Sequence, residues 1–183
     1  MKTQIDFKSM GEILSASLYN DTTAVAVVLC PPHPLYGGSR NDIRIVRIAK
    51  ELASHDMSAL CIDYGIYGQG VRETQNVLDA IRFLRRKKSR IGLLGYSFGA
   101  VVASNAAMQA EIVGFTAISI LKEIDGLKAN LNFPCSTLFI HGKHDTVSPY
   151  SEFKDLYREV KGKKRETYTE HGSLLYGKIP RNN

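Results

Sequence analysis

The sequence predicts an α/β chain with a mostly parallel central sheet and helices on both faces. Three observations carry that expectation. From Ala24 onward, apolar runs of strand length alternate with segments of helical period. Several runs, such as AVAVVLC over Ala24 to Cys30, are apolar at nearly every position, as strands covered on both faces must be. The chain's 183 residues, 44% of them hydrophobic and 23% charged, suffice for one compact core without a metal clip or disulfide frame. A single domain over residues 1–183 is therefore expected.

Element by element, Thr3 to Asn20 alternates weakly and breaks at Ser9-Met10-Gly11, which suits two strands joined by a turn. Ala24 to Cys30 is the first fully apolar strand. Beyond the Pro/Gly-rich segment that follows it, Asn41 to His55 places Ile43, Val46, Ile48, Ala49 and Leu52 on a helical face, with Asn41 or Asp42 as cap. Ser58 to Tyr64 then reads as a strand, Val71 to Lys88 as a helix, Arg90 to Leu94 as a strand and Phe98 to Ala110 as a helix. Ile112 to Ile120 and Ser136 to His141 are strands, Pro149 to Lys161 is a helix, and Arg165 to Thr169 is a last short strand. About 14 residues separate Ile120 from Cys135, enough for a short connection and too few for a separate lid domain.

Composition narrows the class. Twenty-four Lys and Arg against eighteen Asp and Glu leave a net charge of +6, which permits an acidic partner without requiring one. Cys30, Cys61 and Cys135 form an odd set beside apolar runs and fit buried, reduced thiols of a cytoplasmic protein. The N-terminal MKTQIDFKSMGEIL lacks the apolar stretch of a signal peptide, and no apolar run approaches the length of about 20 residues that spans a bilayer. No membrane association is expected.

In an open parallel sheet the ligand crevice lies outside the carboxyl ends of the strands, and the chemically capable residues fall in those loops. Gly95-Tyr96-Ser97-Phe98-Gly99 stands directly between a predicted strand and a small-residue helix. A Gly-x-Ser-x-Gly pattern there puts serine on a tight turn whose neighbours must lack side chains, at a helix N-terminus that favours a developing anion. A serine hydroxyl needs a base and an orienting acid. Asp145, reached from a late strand through Gly142-Lys143-His144, is the candidate acid, and His171, beyond the last strand, the candidate base. The order Ser97, Asp145, His171 is the nucleophile-acid-base order of one hydrolase architecture. His33, His55, His141 and His144 compete for the base role. His141, His144 and Asp145 stand close in sequence, but neither a helical His pair nor a cysteine cluster supports a metal set. No cofactor or metal is expected.

The proline-rich loop Pro31-Pro32-His33-Pro34-Leu35-Tyr36-Gly37-Gly38 follows the first long apolar strand. One oxyanion donor is the backbone N–H of Phe98, the residue after the nucleophile, and the second is expected from this loop, at Leu35 or Tyr36. Tyr36, Tyr64, Ile66, Tyr67, Phe98 and Tyr176 stand in loops where they either line a pocket or pack ordinarily.

Together these residues resemble the α/β-hydrolase superfamily, and within it the small lidless bacterial and archaeal hydrolases related to dienelactone hydrolases. The likeness rests on His-Pro-Leu-Tyr-Gly-Gly-Ser, Gly-Tyr-Ser-Phe-Gly, Ile-His-Gly-Lys-His-Asp and the late Glu-His-Gly, and runs from about Ala24 to Tyr176. It implies the α/β-hydrolase fold without a lid domain, with Ser97 as nucleophile, Asp145 as acid, His171 as base, and Phe98 with Leu35 or Tyr36 as oxyanion donors. The chain departs from the pattern in a short Gly-Ile-Tyr-Gly-Gln-Gly loop after Tyr64 and in Gly172-Ser173 where an aromatic pair often follows the base. Dienelactone hydrolases proper use a cysteine nucleophile, so their substrate does not transfer to Ser97.

The resemblance implies a serine hydrolase of carboxylesterase type that cleaves a small or short-chain carboxylic ester or thioester. A catalytically silent scaffold on the same fold, and an acyltransferase or peptidase with the same triad, are the alternatives. The basic runs Arg82 to Arg90 and Lys161 to Arg165 raise nucleic-acid binding as a rival. Both sit at predicted helix ends opposite the catalytic loops, where cations suit the helix dipole and solvent, so no nucleic-acid partner is expected. Nothing in the sequence specifies an oligomeric state.

Overall fold

The computed structural model describes the backbone of residues 1–172 and the side chains of residues 1–170. An eight-stranded sheet is ordered β1-β2-β4-β3-β5-β6-β9-β10, with β1 (Lys2–Ser9), β2 (Glu12–Tyr19), β3 (Val25–Cys30), β4 (Ser58–Ile62), β5 (Arg90–Tyr96), β6 (Gly114–Ile118), β9 (Ser136–His144) and β10 (Lys164–Gly172). The β1–β2 and β2–β4 pairs are antiparallel and every other pair is parallel. At the hairpin, Met10 and Gly11 both take positive φ, 49° and 84°, the two-residue turn whose twist suits adjoining strands.

Side chains alternate between two apolar layers along each central strand, which explains the unbroken apolar runs. Val28 and Cys30, Leu60 and Ile62, and Ile91 and Leu93 face α2 (Val71–Arg85), α3 (Phe98–Ala107) and α4 (Tyr150–Glu159). Leu29, Cys61 and Leu94 face α1 (Ile43–Ser54) through Ile45 and Ala49. Burying Ile45 in full contributes about 1.5–3 kcal/mol on transfer grounds. Asp42 caps α1 by accepting from the Arg44 N–H at 2.9 Å, which selects it over Asn41.

Two strands run longer than expected. β9 continues through His144 and β10 through Gly172, and Gly172 pairs with His144 after a register shift that follows Thr169. The connection between β6 and β9 is also more than a plain loop. It carries a small hairpin outside the main sheet, β7 (Glu123–Ile124) and β8 (Leu127–Lys128), turned by Asp125 and Gly126 at φ 50° and 84°.

Direction decides where a site can form. The chain passes from β3 through α1 to β4 on one side, then through α2 back to β5 on the other side of β3, so β3 and β5 flank the switch point of the sheet. A crevice opens at such a point, outside the carboxyl ends. Cys30 and Gly95 are register partners there, which sets the proline-rich loop beside the Ser97 turn. Among the described residues, no helix is long and apolar enough to cross a membrane.

Candidate active site

Ser97 occupies the sharp passage from β5 to α3 with φ 54° and ψ −118°, a strained conformation for a residue bearing a side chain. Its N–H donates to the Ile118 carbonyl at 2.9 Å, and its carbonyl accepts from the Ala100 N–H at 2.9 Å. The flanking glycines are sterically required. A Cβ on Gly95 would stand 2.3 Å from the Gly99 carbonyl oxygen, and one on Gly99 would stand 2.3 Å from the carbonyl oxygens of both Cys30 and Pro31. The turn thus closes against both its own helix and the loop after β3, leaving the Ser97 side chain half-buried at the crevice.

Phe98 opens α3, so its N–H is one of the donors that a helix start leaves free. Its ring is fully buried and forms the floor of an aromatic group, 4.6 Å from the His33 ring and 5.8 Å from the Tyr64 ring.

The loop after β3 is held by its own hydrogen bonds. Pro34 starts a single 3₁₀ turn, Pro34–Tyr36, which the His33 side chain caps by accepting the Leu35 N–H on Nδ1 at 3.2 Å. The His33 carbonyl accepts the Tyr36 N–H at 3.1 Å and the Gly38 N–H at 3.0 Å, and the Pro34 carbonyl accepts the Gly37 N–H at 3.2 Å. Gly37 is left-handed at φ 85°, and a Cβ on Gly38 would lie 2.1 Å from the Pro32 carbonyl oxygen. The His-Pro-Leu-Tyr-Gly-Gly string is therefore the recipe for a closed, self-bonded turn. The amides of Leu35 and Tyr36, the expected oxyanion donors, are both hydrogen-bonded inside the loop. Their side chains point outward, 64% and 86% exposed. Pro31, Pro32 and Pro34 have no N–H, so among the described residues the uncommitted amide of the loop is that of His33.

Asp145 follows β9 directly and is 5% exposed. Its Oδ1 accepts the N–H groups of Val147 and Ser148, each at 3.0 Å, which fixes the carboxylate. The Ser148 hydroxyl in turn donates to the Ile120 carbonyl at 3.0 Å, tying the acid's turn to the end of β6. A cavity of about 100 Å³ is lined by Ser97 and Asp145 together with Pro32, Arg44, Tyr96, Ser119, Val147 and Ser148. Ser97 and Asp145, 48 residues apart in sequence, thus face one space. Arg44 and Ser119 are lining residues that the sequence reading missed. Arg44 is paired to Asp42 at 2.6 Å and lies 4.4 Å over the Tyr96 ring.

The β9–β10 register brings the backbone of His171 next to this acid, since its neighbour Gly172 pairs with His144, the residue before Asp145. The His171 side chain and Tyr176 lie outside the described residues. Of the rival histidines, His141 is fully buried, stacked 4.4 Å from Phe153, with Nε2–H donating to the Ser148 carbonyl at 2.8 Å. Burial pushes its pKa below the usual imidazole value, an effect that outweighs the opposing bond to Ser148. His33 has both ring nitrogens engaged, by Leu35 N–H and by Asp125 Oδ2 at 2.7 Å. His55 and His144 are exposed, His55 at the far end of α1 beside Glu51.

The basic runs lie at the opposite end of the sheet, as expected, but they are not uniformly solvated. Lys88 is 5% exposed and donates to the carbonyls of Asp21 and Thr23, both at 2.8 Å. Lys164 donates to the carbonyls of Tyr157 and Val160 at the end of α4. A groove of about 490 Å³ between the β1–β2 hairpin and α2, lined by Phe7, Ile13, Asp79, Arg82 and Phe83 among others, lies away from Ser97.

Strand order, the serine turn and the position of Asp145 after β9 are those of the α/β-hydrolase fold. Comparison with solved structures shows the same. An αβ serine hydrolase homologue from Coxiella burnetii superposes with a TM-score of 0.87 at 18% identity, covering 94% of this chain and 89% of that one. A serine hydrolase without lid from Xanthomonas campestris gives a TM-score of 0.82 at 16% identity over 95% of this chain and 86% of that one. A Pyrococcus furiosus esterase gives 0.82 at 16% identity over 96% and 83%. An uncharacterized protein of Rickettsia prowazekii is 28% identical over 150 residues, which is 74% of this chain and 63% of that protein. The chain therefore spans less than two thirds of that relative's length. No family model matches the sequence.

Proposed function

We propose that the chain is a serine hydrolase that cleaves a small or short-chain carboxylic ester or thioester through an acyl-enzyme, acting as a single domain in the cytoplasm without metal or cofactor. The observation that carries this reading is the conformation of Ser97, strained at a strand-to-helix turn and facing one cavity with Asp145. Strain of that kind is kept where a side chain must be presented. Buried Cys30 and Cys61 suit a reducing compartment.

In this reading His171 takes the proton of Ser97 as Oγ attacks the acyl carbonyl, and Asp145 holds the imidazole in the tautomer that can accept it. The Phe98 N–H and the His33 N–H receive the oxyanion, the latter replacing Leu35 and Tyr36 because it is the loop amide left uncommitted. His171 then returns the proton to the leaving alcohol or thiol and activates the water that releases the acid. The small, open cavity of about 100 Å³ supports short acyl groups over long ones. The relatives' names support the same chemistry, since serine hydrolases and an esterase share the fold.

The test is turnover of p-nitrophenyl esters of increasing chain length by wild type and Ser97→Ala. Turnover that is highest for the shortest acyl groups and abolished by the substitution is expected. Turnover unchanged in Ser97→Ala, or highest for long acyl chains, overturns the nucleophile or the substrate class respectively.

A further inference from the structure

A histidine–carboxylate pair ties the loop after β3 to the β7–β8 turn. His33, 6% exposed, sends Nε2–H to Asp125 Oδ2 at 2.7 Å, across 92 residues of sequence. The same oxygen accepts the Tyr67 hydroxyl, and the rings of Tyr36, Tyr67 and Phe98 enclose the imidazole at 4.8, 5.1 and 4.6 Å between centroids. Asp125 is presented by the β7–β8 turn, and the hairpin is itself fixed. The Asn105 amide of α3 donates to the Lys128 carbonyl at 2.9 Å. Leu127 packs so closely on Gly70 that a Cβ there would lie 2.4 Å from its Cδ2.

The geometry constrains protonation. Nδ1 of His33 accepts the Leu35 N–H as a bare lone pair, which places the ring proton on Nε2, where the Asp125 carboxylate holds it. Hydrogen bonds from Tyr67 and His33 in turn keep the Asp125 carboxyl below its ordinary pKa. One carboxylate thus sets the tautomer, the tautomer caps the 3₁₀ turn, and the turn fixes the peptide whose N–H belongs to His33.

We infer that Asp125 is a positioning residue for catalysis, which through the His33 ring aims the His33 main-chain N–H at the oxyanion. This rests on the serine-hydrolase reading above. Tyr67 assists by sharing the carboxylate and closing the ring's outer side. The substrate's reacting atoms touch neither Asp125 nor Tyr67, so removing them slows acylation while leaving ground-state binding in place.

The test uses Asp125→Gly, which keeps the positive φ of the turn at no steric cost, and Asp125→Asn, which also tolerates it. In wild type the ¹⁵N-labelled His33 imidazole should show one protonated nitrogen, Nε2, and one bare nitrogen, Nδ1. In Asp125→Gly the two signals should move toward an average of tautomers, kcat for a short ester should fall by about tenfold, and KM should stay within about twofold. Asp125→Asn, whose Oδ1 can still accept the Nε2 proton, should retain more activity than glycine. Unchanged kcat and unchanged His33 signals in Asp125→Gly would overturn the inference, as would a rise in KM with kcat intact. If wild type itself neither turns over esters nor labels at Ser97, the hydrolase reading fails first, and the two failures are told apart by that control.

Discussion

Replacing Gly99 by alanine should cripple the proposed hydrolase activity although it adds one methyl group to a buried helix. The added Cβ would sit 2.3 Å from two backbone carbonyl oxygens, those of Cys30 and Pro31, where ordinary contact begins at 3.4 Å. Neither oxygen belongs to a flexible side chain, so α3 and the loop after β3 must separate by about 1 Å, a misplacement that costs on the order of 10²-fold in rate. Overpacking adds about 1–3 kcal/mol of instability, roughly 2–12 °C in Tm for a chain of this length. Gly92→Ala is the internal control, because a Cβ there meets its nearest neighbour, the Gly114 carbonyl oxygen, at a comfortable 3.5 Å. The assay is kcat/KM for a short p-nitrophenyl ester with a thermal melt for each variant. Gly99→Ala hydrolysing like wild type, or Gly92→Ala proving equally damaging, would refute the argument that the β5–α3 turn and the loop are in obligatory contact.

Other outcomes follow from the same contacts. Asp145→Asn keeps an oxygen for the Val147 and Ser148 amides but not the charge, so the fold should survive while kcat falls by about 10⁴-fold, the scale of a wrong imidazole tautomer in serine proteases; activity within tenfold of wild type would remove Asp145 from the mechanism. Lys88→Met should cost about 2 kcal/mol by removing the buried charged donor to the Asp21 and Thr23 carbonyls and to the Asp21 carboxylate, with kcat unchanged, as urea melts and ester assays would show. Stability should fall on both sides of neutrality. Burial pushes the Cys61 thiol up to about 12, from 9.0, and raises Cys30 and Tyr64 as well, so these groups ionise first in the unfolded chain. Their contribution is complete below about pH 9 and lost as pH rises toward the folded values, by up to about 1.4 kcal/mol per pH unit for each group. On the acid side, buried His141, held below 6.5, stabilises above that pH and ceases to as pH falls through its lowered pKa. A melt series with its maximum below about pH 6.5 would contradict the His141 assignment, and one with its maximum above about pH 9 the assignment to the thiols and Tyr64.

The elements that a reader of the sequence can place are those whose burial writes a period into the chain. Strands β3 to β6 are covered on both faces and read as apolar runs, and the Gly-x-Ser-x-Gly turn is legible because steric closure leaves no other residue in its glycine places. The β7–β8 hairpin escaped, although Asp125-Gly126 between Ile124 and Leu127 is a recognised turn signal, because two-residue strands carry no period. Which amide of the loop after β3 is left uncommitted also escaped. That depends on which of them bond within the turn, to His33 Nδ1 and the His33 carbonyl. The pairing of His33 with Asp125 joins residues 92 positions apart, beyond anything spacing can reveal. The meeting of Ser97 and Asp145 at one cavity was anticipated by strand order, since both follow carboxyl ends of parallel strands.

The most direct measurement of the central claim is the site of covalent labelling by a fluorophosphonate, read by intact mass and then by peptide mapping of wild type, Ser97→Ala and Asp145→Asn. One adduct per chain on the Ser97 peptide, absent in Ser97→Ala and formed far more slowly in Asp145→Asn, is the predicted result. An adduct elsewhere, or folded wild-type protein that resists the reagent entirely, would contradict the account of Ser97 as an activated nucleophile.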